Sequence, residues 1–220
     1  TLLERISELC RRTGAQAGLV YALANLLTVE FKLRYLESAR RHLQEFSMLV
    51  PTLSEPSMDS ALPANMGELA LAEEKYKKAI VYFKEAVKSA HQAGLSGENI
   101  NLTQLGQAYL MNGNTVAARK ATQKATAMHR SQGFAKPDGF PSQEIWWRHV
   151  QALNATKETK AAREALNQAY DLLLEAITNM RDEGLRRNYF NKVAVNRELL
   201  QYWVKDGTKL KLPKERLFAH

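Results

Sequence analysis

The stretch Leu102–Ala125, LTQLGQAYLMNGNTVAARKATQKA, constrains the chain more than any other. Leu102, Leu105, Gly106 and Tyr109 recur at i, i+3, i+4 and i+7, the spacing of one helix face. Asn112-Gly113-Asn114 interrupts that helix, because Asn and Gly tolerate turn conformations that other residues avoid. A second helix then carries Ala118, Thr122 and Ala125 at similar spacing. Gly106 and Ala118 leave room for two helix backbones to approach closely. Together these features predict a helical hairpin.

The pattern returns along the chain. Gln16 to Leu33 reads as a helix on Leu19, Leu23, Leu26, Leu27 and Phe31, and Tyr35 to Val50 as its partner on Ala39, Leu43 and Phe46. Met66-Gly67 and Ala70 match Leu105-Gly106 and Tyr109, and the helix Tyr76 to Gln92 carries Ala79, Phe83 and Ala86. Ser142, as N-cap, opens a helix with Ile145, Trp146, Trp147, Val150 and Leu153. Ala162, Leu166 and Ala169 follow in the helix Thr159–Met180. The small residues opening the second helices, Ala39, Ala79, Ala118 and Ala162, lie 40, 39 and 44 residues apart. Loops rich in Pro, Gly and Ser (Pro51–Ser60, Gly94–Asn99, Gln132–Pro141) separate the hairpins.

These residues resemble the tetratricopeptide repeat, with its Leu-Gly, Tyr, then Ala, Phe and Ala at these offsets. The Ala79-Phe83-Ala86 copy is complete, whereas Thr122 stands where the consensus has Phe. The standard period is about 34 residues; the excess here falls in the loops, where insertion costs little. The resemblance implies an all-α, tetratricopeptide-like superhelix of antiparallel helix pairs. Four repeats are expected, at 16–50, 62–92, 100–130 and 142–180 within 15–180. Residues 1–14 would be the second helix of a preceding repeat, and with no initial Met the chain reads as a piece of a longer protein. A capping helix at 181–206 would cover the array with Leu185, Tyr189, Phe190, Val193 and Leu200, stop at Asp206-Gly207, and leave 207–220 as a basic tail or linker. A generic helical bundle with fortuitous alanines is the alternative.

EIWWRHVQAL, AAREALNQAYDLLLEAI and RDEGLRRNYFNKVAVNRELLQYW are similar to the end of the repeat region in large bacterial signalling and transcriptional-regulator proteins. There the repeats lie between a nucleotide-triphosphatase or kinase-like module and a C-terminal output domain, neither of which is present in this sequence.

Chemistry is sparse. The histidines His42, His91, His129, His149 and His220 stand in no ligand spacing, and no phosphate loop or nucleophile elbow is present. Glu73-Glu74 sits beside lysines and reads as a solvated face. Cys10, the single cysteine, is expected as a small buried residue beside Leu2, Ile6 and Leu9; a reactive thiol is the alternative, though nothing nearby would activate it. One cysteine precludes an internal disulfide and fits a reducing cytoplasm. No cofactor, metal or catalytic activity is expected, and neither a signal peptide nor a run long enough to span a membrane is found.

A repeat array offers surface, chiefly from the first helix of each pair. First-helix positions outside the apolar pattern are Tyr21, Asn25, Thr28 and Lys32; Glu68 and Leu71; Thr103, Gln107 and Met111; and Trp147, Arg148, Gln151 and Asn154. The proposed concave face takes Tyr21, Asn25, Thr28, Gln107, Met111, Trp147, Arg148, Gln151 and Asn154. Its amides suit an extended backbone and its Tyr, Met and Trp suit side chains of a peptide or protein segment, which could belong to the parent chain. Trp147 has two readings, binding anchor or core. The Lys/Asn/Arg clamp with which some tetratricopeptide domains grip a terminal carboxylate is not recognisable, since Thr103 and Gln107 occupy central places. A formal charge of +8 keeps a second partner class open. From Arg181 to Arg216 there are ten Lys/Arg against five Asp/Glu, a segment that could bind nucleic acid, although no DNA-reading motif accompanies it.

Overall fold

The computed structural model describes residues 2–53, 55–178 and 180–218. The described residues are all-α, without a strand, and their helices pack in neighbouring pairs. The chain divides into two compact units at Asn114. The first contains α1 (Leu2–Thr13), α2 (Gln16–Leu33), α3 (Leu36–Leu49), a 3-10 turn at Val50–Thr52, α4 (Pro56–Ala72), α5 (Tyr76–Gln92) and α6 (Glu98–Met111). The second contains α7 (Thr115–Ser131), α8 (Ser142–Ala155), α9 (Thr159–Thr178), α10 (Glu183–Lys192), α11 (Ala194–Lys209) and α12 (Lys214–Leu217). His220 lies outside the described residues.

One turn geometry recurs. Arg34, Glu74, Gly113 and Lys157 all have left-handed backbones, with φ of 62°, 61°, 80° and 63°. Each lies five residues before the small residue that opens the next helix (Ala39, Ala79, Ala118, Ala162). In each case its N–H reaches back three residues and the following N–H reaches back five, as in Glu74 N to Leu71 O (3.0 Å) and Lys75 N to Ala70 O (2.8 Å). This pair of hydrogen bonds satisfies the last carbonyls of the helix and ends it. The 40-residue rhythm of the alanines is therefore also a rhythm in backbone conformation.

In the first unit, Leu19, Val20, Leu23 and Leu27 of α2 meet Ala39, Leu43 and Phe46 of α3 in a closed core. Ala79, Phe83, Ala86 and Ala90 form the buried stripe of α5. Phe83 lies so close to Gly67 that a Cβ there would fall 2.7 Å from its ring, which is why α4 carries glycine opposite the aromatic residue. Two buried glutamates tie successive segments through histidines: half-buried His42 Nδ1 lies 2.8 Å from Glu30, and exposed His91 Nδ1 lies 2.9 Å from Glu98.

Two expectations in this unit are corrected. The loop foreseen over Pro51–Ser60 ends early, because α4 already starts at Pro56 and continues through Pro63. Proline is compatible with a helix's first turn, which hides the start from a reading that treats proline as a breaker. On α1, Cys10 is half-buried and turns its sulfur toward α2, where a Cβ on Gly18 would lie 3.0 Å from it. Leu2, Ile6 and Leu9, the apolar neighbours expected to bury it, are exposed.

In the second unit, α7 pairs with α8 and α8 with α9. Thr122, in the consensus phenylalanine place, shares a 2.9 Å hydrogen bond with His149 Nδ1 of α8. Trp146 Nε1 donates to His129 Nδ1 at 3.0 Å, and Phe134 closes edge-on over that histidine. Ser142 is not the N-cap: Pro141 occupies that place and Ser142 is already helical.

The capping segment also differs from expectation. It breaks at Val193, where ψ of 109° ends α10 before α11 begins. Asp182 caps α10 by accepting from Leu185 N at 2.7 Å, but α10 buries none of its residues and Leu185 is 61% exposed. Val195, Leu199 and Trp203 of α11 supply the apolar cover instead. A polar clasp holds the two helices: Gln143 Nε2 donates to Tyr189 Oη (2.7 Å) and Asn196 Oδ1 (2.8 Å), while Asn196 Nδ2 donates to Tyr189 O (3.0 Å). Gly207 does not stop the helix, which runs on to Lys209, and 207–218 is not a loose linker. Lys211 turns left-handed, Leu212 N donates to Gly207 O at 3.0 Å, and α12 folds back so that Leu217 is buried.

Candidate interaction surfaces

Within the first unit, α4 packs against both α2 and α6. Tyr21, Asn25 and Thr28 stand at i, i+4 and i+7 on α2, and all three are exposed, Tyr21 by 48%. Asn25 Nδ2 and Thr28 Oγ1 each donate to the carbonyl four residues earlier, at 3.0 Å. Those bonds fix the side chains along the helix and leave their oxygens as acceptors. On α6, Met111 is 52% exposed and Gln107 is half-buried. Thr103 does not join this surface: it is fully buried and donates to Asn99 O. Glu68 of α4 is engaged by Gln104 Nε2 of α6.

The second unit treats its candidates differently. Trp147 is 4% exposed. Its ring meets Tyr202 of α11 edge-on at 5.4 Å, and its Nε1 donates to Glu198 at 3.3 Å. Asn154 Nδ2 donates to Tyr202 Oη at 2.8 Å. Arg148 is spanned by Glu144 (2.9 Å) and Gln151 (3.1 Å) on its own helix. The open face expected on α8 is thus occupied by α11, and of the two readings of Trp147 the structure shows the core one. That outcome depends on the register of a helix some fifty residues later, which local periodicity does not carry.

Sequence reading missed an aromatic shelf in this unit. Tyr170 of α9 stacks on Trp203 of α11 with ring centres 4.0 Å apart and planes 10° apart. Arg163 lies 5.5 Å from the Trp203 ring and pairs with Asp206. Arg216 lies 5.4 Å from the same ring and 5.6 Å from Tyr170. The spacing of Trp203 and Gly207 on one helix face gave no sign of it, because Leu217 lies beyond the turn at Lys211.

Among titratable groups, His149 is pushed down to about 4 by burial and then by the nearby Arg119 charge. Burial likewise lowers His129. Both imidazoles are therefore neutral near pH 7. Glu158, on the α8–α9 turn, is held low by the Thr156 hydroxyl and by Arg119, which reaches it at 2.6 Å. Glu73, on the α4–α5 turn, is held low by Lys75 and by Arg40 of α3. The two glutamates brace turns, while the two histidines pack between α7 and α8. Among the described residues there is no His, Cys, Asp or Glu cluster able to hold a metal, and no helix long and apolar enough to cross a membrane.

The sequence matches no family model and no curated protein. In fold it is similar to BtubC (BKLC) from P. vanneervenii, whose crystal structure aligns with a TM-score of 0.67 over 95% of this chain and 88% of that one. Identity is 13%, so the likeness is one of fold.

Proposed function

We propose that the chain is a non-catalytic, tetratricopeptide-like module that binds a peptide or protein segment in the cytoplasm, as part of a larger bacterial regulatory protein. The observation that carries this reading is the uncovered stripe Tyr21–Asn25–Thr28 of α2, with exposed Met111 on α6 beyond α4. A half-exposed tyrosine supplies rigid apolar area, the Asn25 and Thr28 oxygens accept from an extended backbone, and methionine adapts to varied side chains. The turn-bracing roles of Glu73 and Glu158 support a scaffold over an enzyme. Nucleic acid is the less favoured partner: the basic C-terminal segment carries no DNA-reading motif, and its Arg216 is already paired with Asp171.

The test is selection of peptides on the immobilised chain, followed by titration of the best binder against Tyr21→Ala and Met111→Ala. Loss of about 2 kcal/mol or more for Tyr21→Ala marks an anchor. Unchanged binding to both variants contradicts this placement of the surface.

A further inference from the structure

The tail that folds back on the second unit has the chemistry of a ligand. Residues 213–218 make three specific contacts with the shelf. The Arg216 guanidinium lies beside both stacked rings and donates to Asp171 Oδ1 at 2.8 Å. The Trp203 indole N–H donates to the Leu217 carbonyl at 3.2 Å. The Leu217 side chain enters a notch cut by Gly207, where a Cβ would fall 2.6 Å from Leu217 Cδ1. One charge, one backbone carbonyl and one aliphatic group are thus each met by a separate feature.

Most of this segment lies at the surface. Pro213, Lys214, Glu215, Arg216 and Phe218 are exposed, and only Leu217 is buried. α12 has four residues, and so short a helix has no stability of its own. The shelf, in contrast, is built without it. Tyr170 and Trp203 stack on each other, and Arg163 is held beside Trp203 by its ring contact and its pairing with Asp206.

We infer that the Tyr170–Trp203–Asp171–Gly207 shelf is a recognition site for a short segment bearing Arg followed by an aliphatic residue, and that residues 213–218 fill it in cis. The site rests on the reading of the chain as a peptide-binding module and adds to it a gated site. A tethered occupant of this length competes at an effective concentration of roughly millimolar. A partner segment displaces it when its concentration divided by its Kd exceeds that effective concentration divided by the tail's own Kd, and displacement frees the tail.

The experiment uses the full chain and a fluorescein-labelled peptide of residues 210–218, LKLPKERLF. The R216A/L217A chain, whose own segment no longer occupies the shelf, should bind this peptide at least about tenfold more tightly than the wild-type chain does, because the cis competitor is gone. A peptide with Ala in place of Arg and Leu should bind neither chain. Adding Asp171→Lys to the vacated chain changes an exposed position and should weaken binding several-fold by replacing attraction with repulsion of the peptide arginine. Where circular dichroism shows the double variant unfolded, Arg216→Ala alone serves, since its side chain is exposed; it should still bind the peptide more tightly than wild type. A folded vacated chain that ignores the peptide, or binds the Ala peptide equally well, overturns the inference. Since the probe is the chain's own sequence, failure here leaves the Tyr21 surface untouched, and failure of Tyr21→Ala to affect selected peptides leaves the shelf untouched.

Discussion

Replacing Trp147 by alanine separates a core residue from a binding anchor. The indole is 4% exposed, so nearly all of its apolar area is removed from water by its own unit. A buried tryptophan hides about 150–250 Å², worth roughly 4–6 kcal/mol at about 25 cal/mol per Å². Compaction of the unfolded chain lowers that figure, and the residual cavity and the lost edge-on contact with Tyr202 restore part of it. The expected loss is therefore about 3–5 kcal/mol, in line with large-to-small core changes. Glu198, left without its indole partner, is exposed and rehydrates. Urea denaturation followed by far-ultraviolet circular dichroism should show the loss. A transition belonging to the first unit, if resolved, should not move. Trp147→Phe should lose less, because most of the ring remains. A loss below about 1 kcal/mol for Trp147→Ala, the range of surface substitutions, would refute burial as the role of this residue.

Other substitutions read other parts of the structure. Tyr21→Ala and Met111→Ala should each change stability by no more than about 0.5 kcal/mol, as surface positions do, and urea midpoints check this directly. Ala79→Leu should cost about 1–3 kcal/mol, since its position is fully buried beside the Gly67–Phe83 contact, and an unchanged melting temperature would count against close approach there. Lys157→Gly should raise stability by up to about 1 kcal/mol, because a left-handed backbone costs a β-carbon-bearing residue roughly that much. Acidification should weaken the fold through His149. Its folded value of about 4 lies below the ordinary 6.5, so between these values the unfolded chain takes up a proton that the folded chain refuses. By pH 5 this removes about 2 kcal/mol of the stability present at pH 7. His149→Gln should flatten that part of the profile, and an unaltered slope would show that His149 is not shielded.

Much of the helical frame was legible because its determinants are local. Ala39, Ala79, Ala118 and Ala162 announce the second helices, and each is preceded five residues earlier by a left-handed turn residue. Only Gly113 declares that turn by its residue type; Arg34, Glu74 and Lys157 adopt the same conformation and give no compositional sign. The beginning of α4 was hidden because Pro56 and the surrounding serines look like a loop although proline suits a first helical turn. The fate of Trp147 and Asn154 was not legible, since it is decided by Glu198 and Tyr202 from a helix remote in sequence. The break at Val193 shifts the register of α11, so the cover is Val195, Leu199 and Trp203 while Leu185 faces solvent. The tail was unreadable for a related reason: a single buried leucine has no periodicity.

The central claim is that the chain binds a peptide segment through the first-helix stripe of its first unit. Hydrogen–deuterium exchange with a selected peptide at saturation tests it most directly, because the footprint needs no prior choice of mutant. The account predicts slowed exchange in α2 around Tyr21–Thr28 and at the end of α6 near Met111. Protection confined to α10 and the basic C-terminal segment, with binding that falls steeply with salt as phosphate contacts do, would contradict it.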